Sequence, residues 1–99
     1  MHFTYIIYSK SLDFFYKDST NNIENRIKRH NSGLESYTSK GTPWILIWFT
    51  SKGSKSDAYR LELKLKNLSR DRLINFIKKY AHDIANDEVK EFLNSWPEF

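Results

Sequence analysis

Apolar, aromatic and β-branched residues crowd positions 3–9, and a polar break at Leu12-Asp13 separates them from a second aromatic stretch at 14–17. That composition favours strands, and two such stretches joined by a short polar segment predict a β-hairpin. With the turn centred on Lys10-Ser11, Tyr5 and Tyr16 stand directly opposite one another with side chains on one face. Positions 44–49 read Trp, Ile, Leu, Ile, Trp, Phe without polar alternation. This is the pattern of a strand covered on both faces, and its simplest placement is the centre of the sheet.

Elsewhere the period changes to that of helices. Thr20 or Asn21 supplies an N-cap, Glu24 follows Asn21 by three residues as in a capping box, and Asn31-Ser32-Gly33 supplies a stop, so a helix is predicted over residues 21–31. Residues 32–43 and 51–55 are rich in glycine, serine and other loop formers. Ser54 or Ser56 opens a second helix running through Leu65, and Asn67-Leu68-Ser69 breaks it. Ser69 caps a third, with Leu73, Phe76, Ile77, Tyr80 and Ile84 at helical spacing. Val89, Phe92, Leu93 and Trp96 predict a short fourth. The expected class is α+β, three strands with helices packed around them.

Length and composition narrow the picture. Ninety-nine residues suit one domain, here expected to span 1–99. A hydrophobic fraction of 39% allows a real core, and 28% charged residues favour a soluble globular chain. No apolar run is long enough to cross a bilayer, and the N-terminus has no secretory pattern, so the expectation is a cytoplasmic protein without membrane association. With no cysteine, disulfides, thiolate metal sites and cysteine nucleophiles are excluded. The net charge of +4 is uneven: residues 83–99 hold five acids against Lys90 alone, leaving an excess of eight positive charges on residues 1–82. That excess suits a phosphate backbone without requiring one.

Besides the paired tyrosines, three polar residues fall where packing patterns expect apolar ones. The first helix places Arg26 and His30 in the stripe formed with Ile23 and Ile27, and the second places Glu62 among Ala58, Leu61 and Leu65. Each has an ordinary explanation. Arg26 can snorkel, His30 can be a satisfied core histidine or a partner of the helix C-terminus, Glu62 can pair with Lys66, and cross-strand tyrosines commonly pack together. Taken jointly they also supply a base for water, a cation for developing charge and a carboxylate for a hard metal, which is what phosphodiester hydrolysis needs.

The ordered set of motifs resembles a family. Phe3-Thr4-Tyr5-Ile6-Ile7-Tyr8-Ser9, then Phe15-Tyr16-Lys17-Asp18-Ser19-Thr20, then Asn22 through Gly33, then Tyr37-Thr38, Gly41-Thr42-Pro43-Trp44 and Ala58-Tyr59-Arg60-Leu61-Glu62 through Lys66 resemble a small stand-alone GIY-YIG nuclease domain over residues 3–80, with 81–99 as a helical extension. The resemblance implies a three-stranded antiparallel sheet flanked by helices. It also implies endonucleolytic cleavage of DNA dependent on Mg²⁺ or Mn²⁺, with branched or damaged DNA and DNA repair as settings. By position Tyr5 and Tyr16 match the two motif tyrosines, Arg26 the catalytic arginine, His30 a frequent histidine and Glu62 the metal-binding glutamate. In the implied mechanism Tyr5 is the general base, its pKa lowered by Arg26 and the metal, and Tyr16 orients water or phosphate. Lys17, Arg29, Lys40, Lys55, Arg60 and Lys66 are the expected nucleic-acid contacts.

One departure touches the site. Asp18 stands where the second motif ends in glycine, a position at which positive φ or close backbone approach can be required. On the face shared with Tyr5 and Tyr16 its charge opposes a phosphate, unless it binds metal or points away. The alternative function is therefore a cleavage-impaired nucleic-acid-binding module using Lys52, Lys55, Arg60, Lys64, Lys66, Arg70 and Arg72 as a basic surface. A third reading, a protein-interaction domain docking through Phe92, Trp96 and Phe99, has the least support.

Overall fold

A computed structural model describes residues 1–95. Three strands, β1 (His2–Ser9), β2 (Phe14–Thr20) and β3 (Trp44–Lys52), form an antiparallel sheet in the order β2-β1-β3. The central strand is thus β1, where every residue from Thr4 to Ser9 is buried, and not the apolar run in β3. That run has two other causes. A bulge sets Ile6 opposite Trp48 and Ile7 opposite Leu46, so Ile47 is extra and the alternation shifts by one. Trp44, Leu46 and Phe49 then pack on one face while Ile45, Ile47 and Trp48 pack on the other. The outer edge of β3 is also partly covered, since Ile84 bridges Trp48 and the Ala85 N–H donates to the Ile47 carbonyl at 2.9 Å.

The hairpin register differs from expectation by two residues. Tyr5 pairs with Asp18, and Tyr16 with Ile7. The turn lies further along because Ser9 Oγ accepts from the Leu12 N–H at 3.1 Å and Asp13 takes a left-handed φ of 51°, a conformation aspartate tolerates. The Asp13 carboxylate also accepts from Tyr8 Oη and, at 2.7 Å, from Arg70 Nη2. Because side chains alternate with a period of two, a two-residue shift keeps Tyr5, Tyr16 and Asp18 on one face.

Helix α1 spans Ile23–Asn31, α2 Lys55–Lys66, α3 Arg70–Lys79 and α4 Asp87–Asn94. The cap of α1 is Asn22, whose side chain accepts from the Asn25 N–H at 3.0 Å. Thr20 is still paired with Phe3, so the expected box between Asn21 and Glu24 does not form. Ser54 and Ser69 cap α2 and α3 as expected, through the N–H groups of Asp57 and Arg72. Helix α3 ends before Tyr80 and Ile84, because Ile84 is drawn to the β3 edge after a short turn at Ala81–Asp83. Trp96 and Phe99 lie outside the described residues.

These elements cover the sheet unequally. Helices α2, α3 and α4 bury Ile6, Tyr8, Phe15, Ile47 and Trp48 beneath Leu65, Leu73, Ile74, Ile77, Val89 and Leu93. The other face carries α1, with Ile23 and Ile27 packed near Tyr5, Ile7 and Trp44, and the segment around Thr38 and Gly41 that lies against Trp44. Removing the larger apolar surface from water, at roughly 25 cal/mol per Å², makes the three-helix side the main source of stability and leaves the α1 side room for polar groups.

Candidate active site

On the α1 side the Tyr5 hydroxyl lies 2.8 Å from His30 Nε2, and His30 Nδ1 lies 2.8 Å from Thr38 Oγ1. The Thr38 hydroxyl donates to the Glu35 carbonyl, so its oxygen is free to accept from a protonated Nδ1. Assigned from this network, Nε2 is bare and accepts the Tyr5 proton. Burial, followed by the charge of Arg26, holds the His30 pKa below its ordinary value, which favours the neutral ring. Trp44 closes the back of the pocket, its indole N–H donating to the Thr38 carbonyl at 2.7 Å. A Cβ at Gly41 would stand 2.4 Å from the Trp44 ring, so glycine is required for that approach.

Asp18 points inward. Its Oδ2 accepts from Arg26 Nη2 at 2.9 Å and from the Tyr16 hydroxyl at 3.3 Å, while Oδ1 accepts from the Ser19 N–H at 2.8 Å. The backbone at 18 is ordinary strand, since Asp13 and Gly33 are the residues at positive φ among those described. The aspartate therefore imposes a charge and no backbone strain. Arg26 also lies 4.0 Å from Glu35 Oε1, and its Nε is buried without a hydrogen-bond partner among the described residues.

The tyrosines are harder to ionise than free tyrosine. Burial and then the Asp18 charge raise the Tyr5 pKa strongly, outweighing the lowering by Arg26. The same two causes push Tyr16 up to about 12. The lowering of the Tyr5 pKa expected from Arg26 is present, and burial and the Asp18 charge oppose it.

Glu62 approaches from the other side of the sheet. It is only 4% exposed, with Oε1 accepting from Ser19 Oγ at 2.8 Å and Oε2 from Lys66 Nζ at 2.7 Å. Ser19 faces α2 because it pairs with Thr4, whose own hydroxyl donates to the Ala58 carbonyl. Adjacent residues of one strand thus serve both faces, Asp18 toward Arg26 and Ser19 toward Glu62. Four of the expected residues, Tyr5, Tyr16, Arg26 and His30, gather in one side-chain cluster in which Tyr5 and His30 are buried, while Glu62 lies across β2 from it, linked through the Asp18-Ser19 step. The Glu62 charge contributes to raising the Tyr16 pKa. Over that edge lies an open groove of about 390 Å³ lined by Phe14, Phe15, Tyr16, Lys17, Tyr37 and Lys66.

Among the described residues no group of three or more His, Asp or Glu could hold a metal ion. Glu62 alone suits a hard cation that keeps several waters and takes its remaining oxygens from a phosphate, provided Lys66 leaves Oε2.

The expected cations do not form one surface. Lys17 and Lys66 flank the groove, and Lys40 lines an adjoining hollow with Leu12, Phe14, Tyr37 and Trp44. Arg29 is paired with Glu35 at 2.9 Å. Lys55 lies on the Glu62 side of α2, but Arg60 is roughly half a turn around and meets Asp57 at 3.5 Å. Lys64 lies over Phe76, and Arg70 is held by Asp13. Sequence reasoning passed over Thr38, Glu35 and Ser19. Thr38 and Ser19 lie within motifs already singled out, whereas Glu35 carried no signal beyond being polar.

The sequence and the fold match a known family. The GIY-YIG catalytic domain model matches residues 1–80, and the chain belongs to that family, whose members are typically nucleases. A UPF0213 protein of Staphylococcus haemolyticus is 34% identical over 79 residues, covering 79% of this chain and 95% of the relative. A UPF0213 protein of Vibrio parahaemolyticus is 33% identical, covering 95% and 90%. The solution NMR structure of a UPF0213 protein from Bacillus halodurans superposes with a TM-score of 0.52 at 32% identity, covering 78% of this chain and 82% of that one.

Proposed function

We propose that the chain is a divalent-metal-dependent endonuclease that hydrolyses phosphodiester bonds in DNA, with the backbone laid across the free edge of β2. The observation that carries this reading is the convergence of Tyr5, Tyr16, Arg26 and His30 on one face of the sheet, with a buried Arg26 Nε that lacks a partner. Tyr5 removes a proton from the attacking water as its own hydroxyl proton passes to His30 Nε2, so that no free phenolate is needed despite its raised pKa. Thr38 holds the ring in the accepting tautomer. Arg26 and the Tyr16 hydroxyl bind the phosphoryl oxygens as charge develops. Glu62 would hold Mg²⁺ or Mn²⁺, which when bound would supply Lewis-acid stabilisation of that charge. Lys17, Lys40 and Lys66 are the proposed backbone contacts, with Lys55 further along α2 and Arg29 and Arg60 peripheral.

Incubation with labelled linear and branched DNA plus Mg²⁺ or Mn²⁺ tests this. Cleavage that requires metal and is lost in Glu62→Ala supports the reading, and cleavage indifferent to that substitution indicates a contaminant. The ion pair between Arg26 and Asp18 favours a second reading, a nucleic-acid-binding module without cleavage. Salt-dependent binding with no metal-dependent product, in the wild type and in Asp18→Gly alike, would select it.

A further inference from the structure

Each charged group that the proposed reaction needs already has an internal partner of opposite sign. The Asp18 carboxylate makes on Arg26 Nη2 and the Tyr16 hydroxyl the contacts that a phosphoryl oxygen would make. The Lys66 ammonium sits 2.7 Å from Glu62 Oε2, where a hard cation would sit. Both pairs stand at the free edge of β2, one on either side of the Asp18-Ser19 step.

We propose that Asp18 and Lys66 are internal counter-ions exchanged together, so that an oxyanion taking Arg26 and a divalent cation taking Glu62 bind cooperatively while the released carboxylate and ammonium neutralise one another across the strand edge. This rests on the nuclease reading for its biological purpose but not for its test.

An oxyanion arriving alone at Arg26 would strand the Asp18 carboxylate, only 18% exposed, beside a second negative charge. A cation arriving alone at Glu62 would leave the Lys66 ammonium next to a second positive charge. With both present, each displaced group has the other. Lys66 can make the move because its side chain is 44% exposed. The two pairs are joined through adjacent residues of one strand, since Asp18 Oδ1 accepts from the Ser19 N–H and Ser19 Oγ donates to Glu62 Oε1. Asp18 thereby determines affinity: it admits a phosphate that comes with a metal and opposes one that comes without.

The probes are sulfate, a tetrahedral oxyanion soluble with magnesium, and Mg²⁺, each titrated into the full chain at constant ionic strength with the Arg26 side-chain N–H signal followed by NMR. In the wild type a saturating amount of either probe is expected to tighten the other by about tenfold, equally in both directions as linkage demands. Asp18→Asn, which keeps an acceptor for the Ser19 N–H, is expected to bind sulfate about tenfold more tightly without Mg²⁺ and to lose the coupling. Lys66→Gln, whose amide can still donate to Glu62 Oε2 and whose folding is checked by its NMR spectrum, is expected to gain affinity for Mg²⁺ alone and to lose the coupling too. Independent binding of the two probes in the wild type, or coupling that survives both substitutions, overturns the exchange. Cleavage plays no part in these readouts, so an active nuclease without coupling refutes only the exchange, and coupling without cleavage refutes only the nuclease.

Discussion

The two faces of the sheet are built on opposite principles. The α2–α4 face is a conventional apolar interior in which Ile6, Phe15, Trp48, Leu65, Leu73, Ile74 and Ile77 exclude water. The α1 face has a smaller apolar patch of Tyr5, Ile7 and Trp44, and spends the remaining area on Asp18, Arg26, His30 and Thr38 held by hydrogen bonds. A single helix cannot cover a sheet face fully, and that shortfall makes a pocket. Most of the apolar burial thus lies on one side of the three strands and most of the polar cluster on the other, with Glu62 joined to that cluster across β2 through Ser19.

The contrast predicts that substitutions on the two faces separate in their effects. Tyr5→Phe on the α1 face is expected to lower the cleavage rate by about 100- to 10,000-fold, with a stability loss of no more than about 1–3 kcal/mol from leaving the buried His30 Nε2 without a donor. A parallel assay of rate and thermal unfolding reads both, and a large fall in Tm would show that Tyr5 is structural. Leu65→Ala on the other face reverses the pattern. It is expected to cost about 2–5 kcal/mol of stability in urea unfolding, with the rate of the folded fraction unchanged.

Gly41→Ala lies between the two. Its methyl meets the Trp44 ring that backs the pocket, so a loss of about 1–3 kcal/mol is expected, together with a changed Trp44 fluorescence. Unaltered stability and emission would mean that the ring shifts freely and does not brace Tyr16 and His30. The smallest effect is that of pH. The His30 pKa is lower in the folded chain than in the unfolded one, so acidification protonates the unfolded state first. Stability is complete above the unfolded value of about 6.5 and falls as pH drops toward the folded value. Tm measured at about pH 7.5 and 5.5 should show this loss in the wild type and less of it in His30→Gln. Equal losses would place the titration elsewhere.

Much of this division could be read in the sequence. The strand and helix segments follow from periodicity, and the caps Ser54 and Ser69 stand where the pattern places them. The inward tilt of Arg26 and His30 is visible in helical spacing alone. What failed was long-range. The bulge at Ile47 gives β3 an unbroken apolar run that mimics a central strand, and only the bridge to Ile84 reveals how its edge is covered. The hairpin register depends on a left-handed Asp13 tied to Arg70, 57 residues away in sequence. The inward Asp18 was foreseen on the tyrosine face, but its pairing with Arg26, and that of Glu62 with Ser19 across the strand, needed the fold to be seen.

The central claim is that the pocket on the α1 face and Glu62 on the other form one metal-dependent site around β2. Anomalous diffraction from crystals of Tyr5→Phe grown with Mn²⁺ and a short DNA oligonucleotide tests it most directly. A manganese peak bound to the Glu62 carboxylate, with Lys66 displaced and a phosphate on Arg26, is the predicted result. Manganese absent from Glu62, or DNA bound away from the β2 edge, would contradict it.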